Sequence, residues 1–245
     1  MVQDFYTEDE IEAVDCTWGD PVLKQYSEKV TEGLLNLGSF SNGDVVVDLA
    51  CGTGFTTEGI LRKNPKKIIG IDFSELVLRR AREKFNGHES LEFKLGDMHR
   101  FSHLVRDVNK VVCQNAIPYA ERPKKVFEEV HKALVPGGEF LFNLTHIISD
   151  NYADCQILNA LCKAMREVTG IKMGSDTVYD LDPRLDYFDA ILKKVGFNKK
   201  AFERRDESFS GEVLRRFVGV RIKDSMTKLP LTVEVKGEIE RTTRA

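Results

Sequence analysis

The sequence has a single tryptophan, seven prolines and no excess of either charge, with 36 Lys+Arg against 39 Asp+Glu and a net charge of −3 over 245 residues. That balance argues against a strong, non-specific hold on nucleic acid, which needs a basic face. The pairs Arg204-Arg205 and Arg215-Arg216 are the local exceptions and read as solvated faces of a hairpin. The five cysteines, at 16, 51, 113, 155 and 162, form no C-x-x-C pair and are odd in number. No zinc site or disulfide framework is expected, and reduced thiols fit a cytoplasmic chain. No apolar run approaches the ~20 residues that span a bilayer. The acidic opening stretch of residues 1–10 has neither the basic region nor the apolar core of a signal peptide.

What is present begins with Val45-Val46-Val47-Asp48-Leu49-Ala50-Cys51-Gly52-Thr53-Gly54-Phe55. The β-branched run predicts a buried strand, Asp48 an acid at its tip, and Gly52 and Gly54 a turn that lets backbone approach a ligand. Thr56 or Thr57 is placed to cap the helix that follows. A second acid, Asp72, ends the next apolar run, Ile68 to Ile71. Together they place a nucleoside-containing cofactor at the carboxyl end of a parallel sheet.

Two common nucleotide sites do not fit. In the G-x-G-x-x-G fingerprint counted from Gly52, Thr57 stands at the third glycine; counted one step earlier, Ala50 stands at the first. A pyrophosphate would also meet Asp48 just before the turn, whereas an acid there suits a ligand with an ammonium or sulfonium end. A Walker A loop is excluded because no G-K-[ST] follows the glycines.

The turn resembles the first motif of class I S-adenosylmethionine-dependent methyltransferases, and the likeness continues in order along the chain. Gly70-Ile71-Asp72-Phe73-Ser74 resembles the second motif, Leu95-Gly96-Asp97-Met98 the third, and Val111-Val112-Cys113-Gln114-Asn115-Ala116 the fourth strand with its turn. Leu134-Val135-Pro136-Gly137-Gly138-Glu139-Phe140 is similar to the K-P-G-G turn before the fifth strand. The resemblance covers residues 40 to 145 well and implies a small-molecule enzyme similar to the ubiquinone/menaquinone-biosynthesis methyltransferase domains. Ala50 replaces the first glycine of the motif, Val135 the usual lysine, and Asn109 the usual acid at the entrance of the fourth strand.

The resemblance implies S-adenosyl-L-methionine as cofactor. Asp48, Ala50, Cys51, Gly52 and Gly54 would hold its methionine end, and Asp72 its ribose hydroxyls. Phe73, Asp97 and Met98 would meet the adenine, while Gln114 or Asn115 would offer a carbonyl near the ammonium and the methyl. Asn115-Ala116-Ile117-Pro118-Tyr119 is only superficially similar to the N-P-P-Y motif of amino-methylating nucleic-acid enzymes, because two residues separate Asn115 from Pro118. Tyr119 therefore reads as a pocket wall, with Trp18, Tyr26 and Tyr152 as further wall candidates. Of His99, His103, His131 and His146, only His146 follows the fifth strand at the edge where substrates bind, and it is the candidate base. His131 reads as surface, and His99 and His103 as lying on the cofactor's far side.

Alternating strands at 44–49, 67–72, 90–95, 109–114 and 138–145, with helices near 55–63, 74–86 and 122–134, predict an α/β, Rossmann-like fold. The family implies seven strands, mostly parallel, with helices on both faces. An N-terminal helix over 20–37 presents Val22, Leu23, Tyr26, Val30, Leu34 and Leu37 as one stripe. Ser74 is the expected cap of the helix it opens. The expected organisation is one domain over 1–245. It comprises an N-terminal helical cap over 1–40, a cofactor-binding core over 41–146, a lid after strand five over 147–182, and a C-terminal half over 183–245. That last part would hold a helix at 184–195, a hairpin at 198–208 and 213–223, and one extra strand. The expected activity is methyl transfer to a small molecule, by in-line displacement. An RNA or protein methyltransferase, or a non-catalytic cofactor-binding partner, is the alternative; the oligomeric state is open.

Overall fold

The computed structural model describes residues 21–117, 120–143 and 181–198, apart from the side chains of residues 22, 23 and 181–186. The chain divides into two compact units. The first takes in 1–6, 28–145 and 180–204 and contains every strand described below. The second takes in 7–27, 146–179 and 205–245, of which only 21–27 are described.

In chain order the elements are α1 (Pro21–Asn36), β1 (Val45–Leu49), α2 (Phe55–Leu61), β2 (Lys67–Asp72), α3 (Glu75–Lys84) and β3 (Leu91–Leu95). β4 (Val108–Cys113), α4 (Pro123–Ala133), β5 (Leu134–Phe142) and α5 (Leu181–Val195) follow. The strands lie in the order β3-β2-β1-β4-β5, and every neighbouring pair is parallel. The order reverses beside β1, which opens a crevice at the carboxyl ends of β1 and β4, the place where open α/β sheets bind ligands.

Both faces of the sheet are covered. Val47, Leu49, Ile69, Ile71, Val111 and Cys113 meet Val126, Phe127 and Val130 of α4 and Phe188 and Ile191 of α5 on one face. Val46, Ile68, Val112 and Leu141 meet Leu34 and Leu35 of α1 and Ile60 of α2 on the other. Each such fully buried aliphatic side chain contributes roughly 1.5–3 kcal/mol. Five strands are therefore described rather than seven. The expected hairpin, lid, tail strand and first twenty residues lie outside the described residues.

Three expectations need correction. The buried positions of α1 are Ser27, Thr31, Gly33, Leu34 and Leu35, so Leu34 of the expected stripe is buried while Tyr26 and Val30, and Leu37 just past the helix, are only half-buried. The helix is rotated because it closes on Gly59 of α2, where an added Cβ would lie 2.6 Å from the Thr31 methyl and 3.2 Å from Leu35. Neither Thr56 nor Thr57 caps α2, whose N-cap position is Gly54, and Ser74 occupies the N-cap position of α3 without a side-chain cap bond. β5 starts at Leu134, directly from α4, and takes up the Pro136-Gly137-Gly138 turn as a bulge between the pairs Val108/Leu134 and Lys110/Glu139.

The amino edge of the sheet explains Asn109. Its carboxamide oxygen accepts the Val45 amide at 2.8 Å, so it holds the first residue of β1 with no need of an acid. Next to it Lys110 is buried, with its ammonium 2.8 Å from Glu139 and 3.6 Å from Asp44. Asp44 in turn accepts the amide and hydroxyl of Ser41, and Glu139 the amide of Ser39.

Candidate functional site

At the carboxyl edge the turn after β1 is built from left-handed backbone. Ala50, Gly52 and Gly54 have φ of 60°, 54° and 88°. The Ala50 and Cys51 amides both donate to the Ile71 carbonyl, at 2.7 and 3.1 Å, which ties the turn to β2. Space around Gly52 is open, with nothing within 4 Å of an added Cβ, whereas at Gly54 that Cβ would lie 2.4 Å from the Phe85 ring. Gly52 thus offers its backbone to a ligand, and Gly54 is required by packing as well as by φ. Ala50 adopts this region with a Cβ, at a cost of about 1–2 kcal/mol.

Asp48 is buried at the tip of β1 and accepts the Thr57 hydroxyl at 2.5 Å. Thr57 therefore serves the strand acid rather than its own helix end. Burial lifts the Asp48 carboxyl to about 7, against the pull of the Thr57 hydrogen bond and with the Asp72 charge adding to the rise. Asp72 is also buried; one oxygen accepts the Gly52 amide at 2.9 Å and the other the Ser74 amide at 3.0 Å. Burial holds its carboxyl above the usual range even though these backbone donors favour the charged form. Neither acid has a cationic partner among the described residues. Cys51 and Cys113 are buried thiols, both pushed up mainly by burial, so neither is a nucleophile at neutral pH.

The third loop is linked to Asp72, whose carbonyl accepts the Gly96 amide at 2.8 Å. Asp97 is half-exposed. One of its oxygens, Oδ1, takes both the backbone amide and the ring Nδ1 of His99, each at 2.8 Å. Burial alone would push this carboxyl up, but the two His99 hydrogen bonds, with the nearby Arg100 charge, bring it below its usual range. Met98 packs its side chain against the core, and Phe73 is half-buried. At the end of β4, Gln114 is buried and its Oε1 accepts the Thr56 hydroxyl at 3.3 Å. Asn115, with φ of 57°, forms a reciprocal pair with Asn143 after β5: its amide donates to Asn143 Oδ1, and Asn143 Nδ2 donates to its Oδ1, both at 2.7 Å.

The structure thus brings Asp48, Ala50, Cys51, Gly52, Gly54, Asp72 and Phe73, the loop of Asp97 and Met98, and Gln114 and Asn115 to the carboxyl ends of β1 to β4. Tyr26 is half-buried on α1, in the second unit. Trp18, Tyr119, His146 and Tyr152 lie outside the described residues. His131 is exposed, as expected, with its ring edge-on to Phe197. Thr57, His99 and Asn143 escaped sequence reasoning as contributors. Asn143 alone carried a signal, being a polar residue that ends an apolar strand just as Asp48 and Asp72 do.

These residues fit S-adenosylmethionine. Buried Asp48, without a cation among the described residues, suits the charged methionine end, Asp72 keeps lone pairs for the ribose hydroxyls, the open face of Gly52 leaves room for backbone contact, and Asp97 keeps its Oδ2 free of protein donors among the described residues. Among the described residues no group of three or more metal-binding side chains is found, and no helix is long and apolar enough to cross a membrane.

Comparison with known proteins agrees. Residues 40–196 match the model of a family described as a methyltransferase domain. The arsenite methyltransferase of Halobacterium salinarum is 28% identical over 170 residues, covering 68% of this chain and 40% of that protein. A malonyl-[acyl-carrier protein] O-methyltransferase of Marinomonas is 32% identical over 120 residues, covering 48% of this chain and 44% of its own length. The chain therefore spans less than half the length of these curated relatives. Among solved structures, the YcgJ protein of Bacillus subtilis superposes with a TM-score of 0.59 at 17% identity, covering 86% of this chain and 88% of that one, a likeness of fold. With the family match spanning most of the chain and the motif residues gathered at one sheet edge, the chain belongs to the methyltransferase-domain family, of the class I S-adenosylmethionine-dependent type.

Proposed function

We propose that the chain transfers a methyl group from S-adenosylmethionine to a small-molecule acceptor, with catalysis mainly by positioning. One observation carries this reading. Of the acids buried among the described residues, Asp44 and Glu129 have lysine partners, whereas Asp48 and Asp72 at the crevice have none. A buried carboxylate without a cation is costly, and a ligand that brings positive charge removes the cost.

Bound S-adenosylmethionine supplies a methyl group already activated by its sulfonium charge. What remains for the chain is to hold and orient. Asp72 has lone pairs beyond those used by Gly52 and Ser74, and these accept the ribose hydroxyls. Asp97 Oδ2 accepts the adenine amino group. The Asn115–Asn143 pair fixes the end of β4 where the acceptor approaches, and alignment of acceptor and methyl lowers the barrier. Where the acceptor must lose a proton, His146 is the candidate base. The segment 147–182, with Trp18, Tyr26, Tyr119 and Tyr152, is the candidate cover. The near-neutral charge and the relatives named for arsenite and a malonyl group favour a small acceptor.

The test is methyl transfer from S-adenosylmethionine labelled in its methyl group, offered in turn a small-molecule extract, RNA and protein. Label in the small-molecule fraction is expected. Label in RNA or protein would replace the acceptor class, and failure to bind S-adenosylmethionine in calorimetry would overturn the reading altogether.

A further inference from the structure

We propose that His99 is a positioning residue for cofactor recognition: it orients Asp97 toward the purine and ties that acid to the loop entering α4. The proposal rests on the reading of Asp97 as the adenine acceptor.

The geometry is one-sided. Both donors of His99, its amide and its ring Nδ1, converge on Asp97 Oδ1 at 2.8 Å. Oδ2 receives no donor from the described residues, and the Asp97 side chain is 44% exposed, so Oδ2 is the oxygen left for a ligand. A carboxylate free to rotate about its χ2 torsion would present either oxygen, or neither, in the required direction. Two bonds to one oxygen remove that freedom before the ligand arrives, which is how preorganisation raises affinity.

The other ring nitrogen fixes the tautomer. His99 Nε2 lies 3.4 Å from the Arg122 amide, which can only donate, so Nε2 accepts and Nδ1 carries the proton given to Asp97. Arg122 stands immediately before Pro123, the first residue of α4. Its amide is therefore the last backbone donor before that helix begins with a residue that has none. The largely buried His99 ring, with its side chain 16% exposed, thus joins the purine loop to the stretch that follows β4, which begins with Gln114 and Asn115.

The consequence is selectivity for a 6-amino purine. An oriented acceptor rewards an amino group and opposes a 6-oxo group, which presents an acceptor of its own. Calorimetry with S-adenosylhomocysteine and its 6-oxo, inosine-containing analogue reads this directly. The native chain should prefer the amino form by about thirtyfold, and Asp97→Asn should reduce that preference to about threefold or less. His99→Ala should reduce it about fivefold or more by weakening the amino form, with the 6-oxo analogue bound as before, and His99→Gln, which keeps a donor, should restore part of it. Equal weakening of both ligands in His99→Ala would mean a structural role only and would overturn the proposal, as would an unchanged preference. Absence of any preference in the native chain would overturn the adenine reading of Asp97, and the proposal with it. Should His99→Ala not fold, nitrogen NMR of the native ring decides: protonated Nδ1 and unprotonated Nε2 are expected, and the opposite tautomer contradicts the proposal.

Discussion

At the amino edge of the sheet, Asp44 and Glu139 share the ammonium of the buried Lys110. At the carboxyl edge, one strand-length away, Asp48 and Asp72 are buried beside neutral donors, the Thr57 hydroxyl and the Gly52 and Ser74 amides among them, with no cation among the described residues. The residue type and the sheet are the same, but the charge accounting differs. The first cluster is complete in the chain and serves to lock β1, β4 and β5 in register. The second is complete only with a cationic ligand, and its raised carboxyls record the deficit. Paired buried acids mark structure in this fold, and unpaired ones mark its binding edge.

The largest effect should come from breaking the complete edge. Lys110→Met leaves two largely buried carboxylates without their cation and should lower unfolding stability by about 3 kcal/mol in denaturant titration, with cofactor affinity nearly unchanged in the folded protein. At the other edge, Asp72→Ala removes the acceptor of the Gly52 and Ser74 amides together with the ribose contact, so calorimetry should show S-adenosylmethionine bound about a hundredfold more weakly. Asparagine cannot stand in: each Asp72 oxygen accepts an N–H, and one would become an NH₂ group facing a donor. Thr57→Val deprives buried Asp48 of its hydroxyl partner and should cost about 1.5 kcal/mol at pH 8, less at pH 5 where Asp48 is protonated. Smallest is Ala50→Gly. It relieves a left-handed Cβ at φ 60° and should stabilise the fold by about 0.5 kcal/mol, after the entropy of the added glycine is subtracted.

Much of this was legible in the sequence because it is local. Strand ends at Asp72 and Cys113 follow from apolar runs closed by a polar residue, that at Leu95 from an alternating run closed by Gly96, and Asp48 and Asp72 were found because each closes an apolar run. What was not legible depends on sheet order. The Asn109 bond to Val45 spans 64 positions, and the Asn115–Asn143 pair joins the ends of two neighbouring strands. Lys110 sits inside a strand pattern where a charge reads as a fault until Asp44 and Glu139 are seen on either side. The face of α1 was misread because Thr31 looks polar, while its methyl packs against a glycine of another helix. Thr57 was assigned to its own helix, since capping is a local rule and its bond to Asp48 is not.

The most direct test of the difference between the edges is the pH dependence of S-adenosylmethionine binding. In the free protein Asp48 titrates near 7, above its ordinary value, so the folded form holds a proton that the unfolded chain has released. Stability of the free protein therefore falls as pH rises from about 4 to about 7 and levels off above that. A cationic ligand favours the ionised acid, so its affinity moves the opposite way. Calorimetry between pH 5.5 and 8.5 should show affinity rising up to about tenfold per pH unit below 7 and flat above it, with the slope lost in Asp48→Asn. Affinity that does not change across this range, or no binding at any pH, would contradict the claim that the ligand supplies the charge this edge lacks.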